Sequence, residues 1–181
     1  MITLRAERLH WIGDDGNDDP NDLCAHSPVT CKINDESIAS PDDGDWTVSA
    51  SAIFLLRSLD REHTKKAPVG DQIFPCCGHG IYDVGDEEVV ICGCPNGIDF
   101  EIRHGNQEIT LSLDDDRQLT VTREEWEQAV LGFSDQILRF YDNSAQKDPG
   151  DEESKKGFKA MMAEWHRLHS KRKNQNHSLH G

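Results

Sequence analysis

Apolar residues recur at helical spacing after Thr122, which is the clearest secondary-structure signal in the chain. Thr122 and Glu125 form a capping box, in which each side chain satisfies a free backbone N–H at the start of a helix. The apolar positions that follow are spaced by four and three residues and form one stripe: Trp126, Val130, Phe133, Ile137 and Phe140. The pattern predicts a helix that begins after Thr122 and ends near Asn143.

Two other stretches have helical spacing. The first is capped by Thr47 or Ser49 and runs to about Glu62. Its wide apolar face predicts a helix that is buried against a sheet. The second runs from about Glu152 to Ser170. Its apolar positions are Phe158, Met161, Met162, Trp165 and Leu168.

The remaining apolar residues alternate with polar ones or form short runs, as in β-strands. The predicted strands lie within residues 2–12, 29–33, 89–92, 98–102, 109–113 and 119–121. Short turns join the later strands, which predicts an antiparallel meander with one face on the core. The sequence therefore predicts one α+β domain over residues 1–170, in which an antiparallel sheet packs against two or three helices. Residues 171–181 lack periodicity and are expected to be a flexible basic tail.

Four of the six cysteines lie between Ile73 and Ile102, together with a histidine. Thiolate and imidazole groups are zinc ligands, so a structural zinc site from Cys76 (or Cys77), His79, Cys92 and Cys94 is one interpretation. The alternative is a set of packed core thiols with no cofactor, because the spacing departs from two C-x-x-C pairs and buried cysteines commonly lack a metal.

The same segment offers a thiol nucleophile. Cys76 or Cys77 at an exposed turn needs a base and an orienting carboxylate, and His26 and Asp99 are candidates if the fold brings them together. The sequence has neither a phosphate-binding loop nor a dinucleotide-binding glycine motif. The alternative function is therefore a zinc-dependent or thiol enzyme centred on the segment from Cys76 to Asp99.

The net charge of −15 makes nucleic acid or an anionic membrane surface an unfavourable partner and favours a basic protein. Eleven aspartates lie in three loops, at residues 14–22, 42–45 and 114–116. If loops of this kind share one side of the fold, they form a strongly negative patch. Trp11 and Trp46 adjoin two of them and are candidate interface anchors, the alternative being a position at the edge of the core. The predicted partner-binding residues are Asp14, Asp15, Asp18, Asp19, Asp22, Asp42, Asp43, Asp45, Trp11 and Trp46.

The first residues lack the apolar core and cleavage site of a signal peptide, and no window is apolar enough for a transmembrane helix. A cytoplasmic location is expected. Most of the cysteines are then expected to be reduced thiols, because reducing compartments disfavour structural disulfides.

Several short motifs resemble those of a family of small bacterial cytosolic proteins of unassigned activity. They are W-I-G-D from Trp11, D-L-C-A-H from Asp22, W-T-V-S-A-S-A from Trp46, F-P-C-C-G-H from Phe74 and G-C-P-N-G-I-D from Gly93. The resemblance implies no catalytic residues. In size and acidity the chain is also similar to immunity proteins, which neutralise toxins.

Charge and the lack of a catalytic motif lead to one principal hypothesis. The chain is expected to be an acidic, immunity-type binding protein rather than an enzyme. It would neutralise a basic toxin, for example a nuclease, by covering the active site. Its carboxylates would replace phosphate charge and steer association, while a buried aromatic or aliphatic anchor would slow dissociation.

Overall fold

The structure is a computed structural model that describes residues 1–12, 18–76, 80–85 and 87–179, with side chains as far as Lys173. Within these ranges the helices are α1 (Val48–Ser58), α2 (Arg123–Asp142) and α3 (Glu152–Leu179). The strands there are β1 (Ile2–Ala6), β2 (His26–Ser27), β3 (Val29–Ile33), β4 (Glu36–Ala39), β5 (Trp46–Thr47), β6 (Gly80–Asp83), β7 (Val89–Cys92), β8 (Glu101–His104), β9 (Glu108–Ser112) and β10 (Gln118–Thr122). The predicted α+β class is confirmed.

The strands form several small antiparallel sheets rather than one large sheet. The predicted meander is present in part, as β8, β9 and β10, with Ile102 opposite Leu111 and Leu111 opposite Leu119, whereas the strand predicted at residues 89–92 (β7) lies outside it. β1, β3 and β4 form a second sheet, while β2 pairs with β5 and β6 pairs with β7. The predicted meander therefore accounts for one sheet, and the other strands cover different sides of the helices.

Helix α1 lies at the centre of the fold, and every one of its 11 residues is buried. Its principal neighbours are α2 and α3 rather than a sheet, which corrects the expectation from its wide apolar face. Thr47 stands at the N-cap position, but its side chain makes no capping hydrogen bond. Thr47 Oγ1 instead lies 3.3 Å from His26 Nε2. The helix also ends earlier than predicted, at Ser58, where turn hydrogen bonds from residues 59–61 replace the helical pattern.

Helix α2 has the predicted start and the predicted buried stripe. The Glu125 backbone N–H donates to Thr122 Oγ1 at 3.2 Å, and the Thr122 N–H donates to Glu125 Oε2 at 3.2 Å. Trp126 is buried, and its Nε1 donates to Ser58 Oγ at 3.4 Å. The capping box and the stripe are local signals, so they identify the helix without knowledge of its neighbours.

Helix α3 is longer than predicted and continues to Leu179, so the backbone from residue 171 to that point is helical rather than irregular. Trp165 is fully buried and donates its Nε1–H to Ser134 Oγ at 2.7 Å. Beyond Ser170, the Lys171 ammonium lies 2.9 Å from the Asp60 carboxylate, which also pairs with Arg172. These ion pairs join the basic end of the helix to the chain that follows α1.

Candidate functional site

Residues 18–22, the described part of the first predicted acidic loop, lie near the second loop at residues 42–45, around His10 and His26. His10 Nε2 lies 3.1 Å from Asp45 Oδ2, and the backbones of His10 and His26 pair through two hydrogen bonds of 3.0 and 2.9 Å. We call this region the acidic-loop face. Its described residues are His10, Trp11, Asp18, Asp19, Asp22, His26, Asp42, Asp43, Asp45 and Trp46. Asp14 and Asp15 lie outside the described residues.

Three of the six described aspartates of the acidic-loop face accept hydrogen bonds from nearby backbone N–H groups. Asp22 accepts hydrogen bonds from the backbone N–H groups of Ile12 (2.5 Å) and Cys24 (3.3 Å). Asp19 accepts from the Asn21 N–H at 2.8 Å, and Asp43 accepts from the Ser40 N–H at 2.7 Å. These contacts are typical of Asp in turns, where the carboxylate satisfies nearby backbone donors. The aspartates therefore shape the loops, and Asp42 remains as an exposed charge.

Asp18 forms an ion pair with Lys147, which lies in the chain that follows α2. Lys147 has 3% of its side chain exposed, and its Nζ lies 2.5 Å from Asp18 Oδ1. The same Nζ lies 3.3 Å from the centroid of the Trp11 ring, a cation–π contact. The hydrogen bond from Lys147 lowers the pKa of the Asp18 carboxyl. Asp18 thus neutralises a buried cation and is not a free acidic group.

Neither predicted tryptophan anchor is exposed. Trp11 is 7% exposed and Trp46 is 6% exposed. The Trp11 ring packs 4.9 Å from Phe140 and 5.0 Å from Tyr141, and its Nε1 donates to Ser144 Oγ at 3.2 Å. This burial corrects the prediction that these rings anchor a partner, because an anchor must be accessible before binding. Apolar spacing alone did not distinguish the edge of the core from the surface.

His26 is buried behind the acidic-loop face, with 4% of the residue exposed. Burial lowers the pKa of His26, although the charges of Asp22 and Asp45 act in the opposite direction. The neutral imidazole is therefore the favoured form in the folded protein, since desolvation penalises its cation.

The cysteine segment contains a disulfide where the zinc hypothesis requires thiolate ligands. Cys76 and Cys94 are joined, with their Cα atoms 6.6 Å apart, because β6 and β7 bring the two ends of the segment together. Cys92 is a free, exposed thiol, and His79 lies outside the described residues. Among the described residues no group of three or more His, Cys, Asp or Glu side chains is arranged to hold a metal ion. The proposed ligand set is therefore corrected at Cys76 and Cys94.

The other free thiols in the described part of the chain are Cys24 and Cys31, and both are buried. Burial raises the pKa of each thiol to about 12. Neither is a thiolate nucleophile at neutral pH, because only the deprotonated sulfur attacks.

The residues suggested as partners of a thiol nucleophile do not converge. His26 Nε2 faces Thr47, whereas Asp99 Oδ1 lies 3.1 Å from His63 Nε2. The Val69 N–H donates to His63 Nδ1 at 3.1 Å, so the Nε2–H of a neutral His63 donates to Asp99. His63 and Asp99 thus form a structural link between two loops.

The most exposed apolar surface among the described residues, apart from the N-terminal Met1 and Ile12, is on the hairpin of β6 and β7. Tyr82, Val84 and Val90 are 44%, 52% and 41% exposed. Tyr82 is directly opposite Val90 in the strand register, so the two side chains lie on the same outer face. We call these three residues, with the carboxylates around them, the hairpin face. The hairpin face was not predicted, because Ile81, Tyr82 and Asp83 do not alternate between apolar and polar side chains and so do not indicate strand β6.

Two concavities flank the hairpin. A groove of about 670 Å³ is lined by Phe54, Arg57, Arg61, Pro68, Val69, Gly70, Asp71, Val84, Glu87, Glu88, Val89, Val90 and Ile91. A smaller pocket of about 380 Å³ is lined by Leu23, Gly80, Ile81, Tyr82, Asp151, Glu153 and Ser154. Both have acidic side chains at their rims. We call the larger one the hairpin groove.

A buried ion pair fixes the floor of the hairpin groove. The Arg57 guanidinium is bidentate to Glu164, with Nε–Oε1 and Nη2–Oε2 distances of 2.7 and 2.8 Å. Arg57 also donates to the carbonyl oxygens of Val69 and Val89, each at 2.7 Å. The Val89 N–H in turn donates to Glu164 Oε2 at 2.6 Å. This network offsets the desolvation of both charges and attaches β7 to α1 and α3.

Comparisons with protein-family models, with curated proteins and with solved structures found no match. Within the described residues no helix is both long enough and apolar enough to cross a membrane.

Proposed function

We propose that this protein binds a basic protein through the hairpin face, and that its cellular role is of the immunity type. In that role it neutralises a toxin, for example a nuclease, by covering the active site. The observation that carries the proposal is the exposed apolar group Tyr82, Val84 and Val90 between two acidic-rimmed concavities. Interfaces combine these features, an apolar centre and a polar rim.

The charge of the chain favours a basic partner. The net charge is −15, and carboxylates surround the hairpin on both sides. The described ones are Asp71, Asp83, Glu87, Glu88, Asp151 and Glu153. A negative surface of this kind accelerates the encounter with a positive protein and repels acidic ones. The acidic-loop face adds to the long-range field even though its aspartates are bonded internally.

The apolar residues of the hairpin face supply the short-range part of the binding energy. Tyrosine is one of the residue types that most often dominates an interface, because it buries a large rigid surface and keeps a polar end. Tyr82 and Val90 stand on paired strands, so their positions are fixed before binding. Such preorganisation reduces the entropy that is lost on association. Charge would therefore control the rate of association, and this apolar group would control the rate of dissociation.

The proposal is tested by partner capture followed by measurement with the purified partner. The immobilised protein is exposed to a lysate of the cells that make it, and the captured protein is purified and titrated against variants. We expect a basic partner whose association slows as salt is raised. The double variant Tyr82→Ser/Val90→Thr should weaken binding by about 30-fold or more, the effect of losing about 2 kcal/mol at an interface centre.

Ile12→Thr is the matched control, because Ile12 is exposed and apolar but lies beside the acidic-loop face, where its backbone N–H donates to Asp22. Binding should be unchanged in this variant. If the partner binds Tyr82→Ser/Val90→Thr as tightly as it binds the unmodified protein, the hairpin face is not the interface. If binding were lost instead on charge reversal at Asp42, the acidic-loop face would be the interface.

A further inference from the structure

Among the described residues, no other strand pairs with the outer edge of β7 beyond Val89. The Val89 N–H and C=O both bond to the Glu164 and Arg57 side chains, so they point away from the partner strand β6. Antiparallel pairs alternate between residues whose backbone groups face the partner strand and residues whose groups face outward. Ile91, two residues further along, therefore also directs its N–H and C=O away from β6 and towards the hairpin groove that it lines.

The opposite edge of the hairpin is closed by α3. A Cβ atom built at Gly157 would lie 2.0 Å from the Ile81 carbonyl oxygen, so the helix backbone runs directly against β6 there. Ile81 is opposite Ile91, and its carbonyl also points outward, as the alternation requires. The hairpin thus has one edge covered by a helix and one edge that faces a groove.

The hairpin groove also contains a carboxylate that has no partner among the described residues. Glu88 pairs with Arg61 at 2.5 Å, and Glu87 lies 3.6 Å from Arg167. Among the described residues, Asp71 has neither an ion pair nor a side-chain hydrogen bond, although it is exposed at the rim. Outward backbone groups at Ile91, exposed apolar groups at Val84 and Val90, and a free charge at Asp71 therefore meet in one groove.

We infer that the hairpin groove receives an extended basic segment of the partner, which adds as a strand to the edge of β7 at Ile91. This inference rests on the proposed function and names how that site holds its partner. Strand addition obtains affinity from main-chain hydrogen bonds and specificity from alternate side chains. An apolar side chain of the segment would contact Val84 and Val90, and a Lys or Arg side chain would pair with Asp71.

The groove chemistry distinguishes this occupant from two others. A helical segment has its backbone groups bonded internally and cannot pair with Ile91. A second copy of this chain would bring a second net charge of −15 and a second Asp71 to the same place, which is electrostatically unfavourable. The Arg57–Glu164 pair already occupies the backbone groups of Val89, so the added strand begins at Ile91.

The test uses a capped heptapeptide of alternating valine and lysine, titrated into the ¹⁵N-labelled protein and followed by amide hydrogen exchange. At saturation we expect the Ile91 N–H to exchange about tenfold more slowly or better, because it acquires a hydrogen-bond acceptor. The Val90 N–H already faces β6 and should be unaffected. A peptide that is N-methylated at alternate residues keeps the charge and the side chains, but its methyl groups occupy the edge that would pair with β7, so it should not protect Ile91.

Asp71→Asn should weaken peptide binding by about threefold, as expected for one exposed ion pair. Asp42→Asn, on the acidic-loop face, should leave binding unchanged. Binding without protection of Ile91, or no binding at millimolar peptide, would overturn strand addition. The proposed function is tested separately, by capture of the partner, and its outcome does not depend on this peptide experiment. Protection of Ile91 that rises with protein concentration in the absence of peptide would identify a second copy as the occupant and would also overturn the inference.

Discussion

The acidic-loop face and the hairpin face carry the same sign of charge but differ in what their polar groups already contact. On the acidic-loop face, Asp18 neutralises the buried Lys147, and Asp22 satisfies two backbone N–H groups. Its two tryptophans are buried. On the hairpin face, Tyr82 and Val90 are exposed, and Asp71 has no partner among the described residues.

This difference shows why a run of aspartates is a weak indicator of a binding surface. Asp is frequent in turns because its carboxylate accepts hydrogen bonds from nearby backbone donors. Such a group contributes to the field of the protein but has little capacity for a new short-range contact. A surface is ready to bind when its apolar groups, backbone groups and charges are still unsatisfied. Each prediction below tests this contrast, in order of decreasing expected effect on stability.

Glu164→Gln should have the largest effect. It leaves the buried Arg57 without its counter-charge, and breaking a buried pair in this way costs about 3–5 kcal/mol of unfolding free energy. Chemical denaturation measures the loss, and hydrogen exchange at Val89 should accelerate, because Gln has one acceptor oxygen in place of the two that Arg57 and the Val89 N–H share. Glu153→Gln, at an exposed position of the same helix, is the control and should be neutral. A loss below about 1 kcal/mol would mean that the pair does not hold β7 in place.

Removal of the Cys76–Cys94 disulfide should have the next largest effect. Its sequence separation of 18 residues implies a stabilisation of about 3 kcal/mol from the reduced entropy of the unfolded chain. Cys76→Ser/Cys94→Ser should therefore lower the unfolding free energy by about that amount and make the hairpin more susceptible to proteolysis. Cys92→Ser removes an exposed free thiol and should change neither quantity. Equal stability with and without reductant would argue against the bond in solution.

Protonation of His26 should destabilise the acidic-loop side of the molecule. Burial lowers the pKa of His26 in the folded protein, whereas in the unfolded chain it titrates near its usual value of about 6.5. As the pH falls below about 6.5, the unfolded chain binds a proton at His26 before the folded protein does. The unfolding free energy is therefore highest above this pH and decreases below it. The slope from this group is at most about 1.4 kcal/mol per pH unit. Urea denaturation between pH 7 and 5 measures it.

His26→Asn should reduce this pH dependence, since Asn does not titrate. His166→Asn, at an exposed position of α3, should retain it. A pH dependence identical in His26→Asn and the unmodified protein would assign the effect to other groups.

Tyr82→Ser/Val90→Thr should have the smallest effect on folding. Both side chains are exposed, and surface substitutions of this kind usually change stability by about 0.5 kcal/mol or less. Denaturation midpoints should therefore match those of the unmodified protein while partner binding is lost. A loss of several kcal/mol would show that these residues support the fold, and the contrast between the two faces would then need revision.

Local signals in the sequence were sufficient to predict helix α2 and the central strand of the meander. Thr122 and Glu125 identified the start of α2, and the alternation around Ile109 and Leu111 identified the central strand of the meander. Strand β4 was missed because Glu36 and Ser37 are polar and lie next to an acidic loop. Strand β6 was missed because its pairing with β7, rather than its own composition, makes it a strand.

The candidate site was less predictable than the fold. The sequence identified the segment from Cys76 to Cys94 as a centre, but it predicted a zinc site or packed reduced thiols there rather than the disulfide that the structure contains. That choice depends on the distance between two chain segments, which is set by the register of β6 and β7. The burial of Trp11 depends in the same way on Phe140 and Tyr141, which are more than a hundred positions away.

By itself, the sequence determined the α+β class, the principal helices, the meander and the acidic charge, because periodicity, capping and composition are properties of nearby residues or of the whole chain. Only the tertiary structure decided which acidic groups are already bonded, which aromatic rings are exposed and which strand edge faces a groove. These features depend on contacts between distant segments, such as Asp18 with Lys147 and Val89 with Glu164. Whether a polar group is free to bind is decided by such contacts, and its position in the sequence does not encode them.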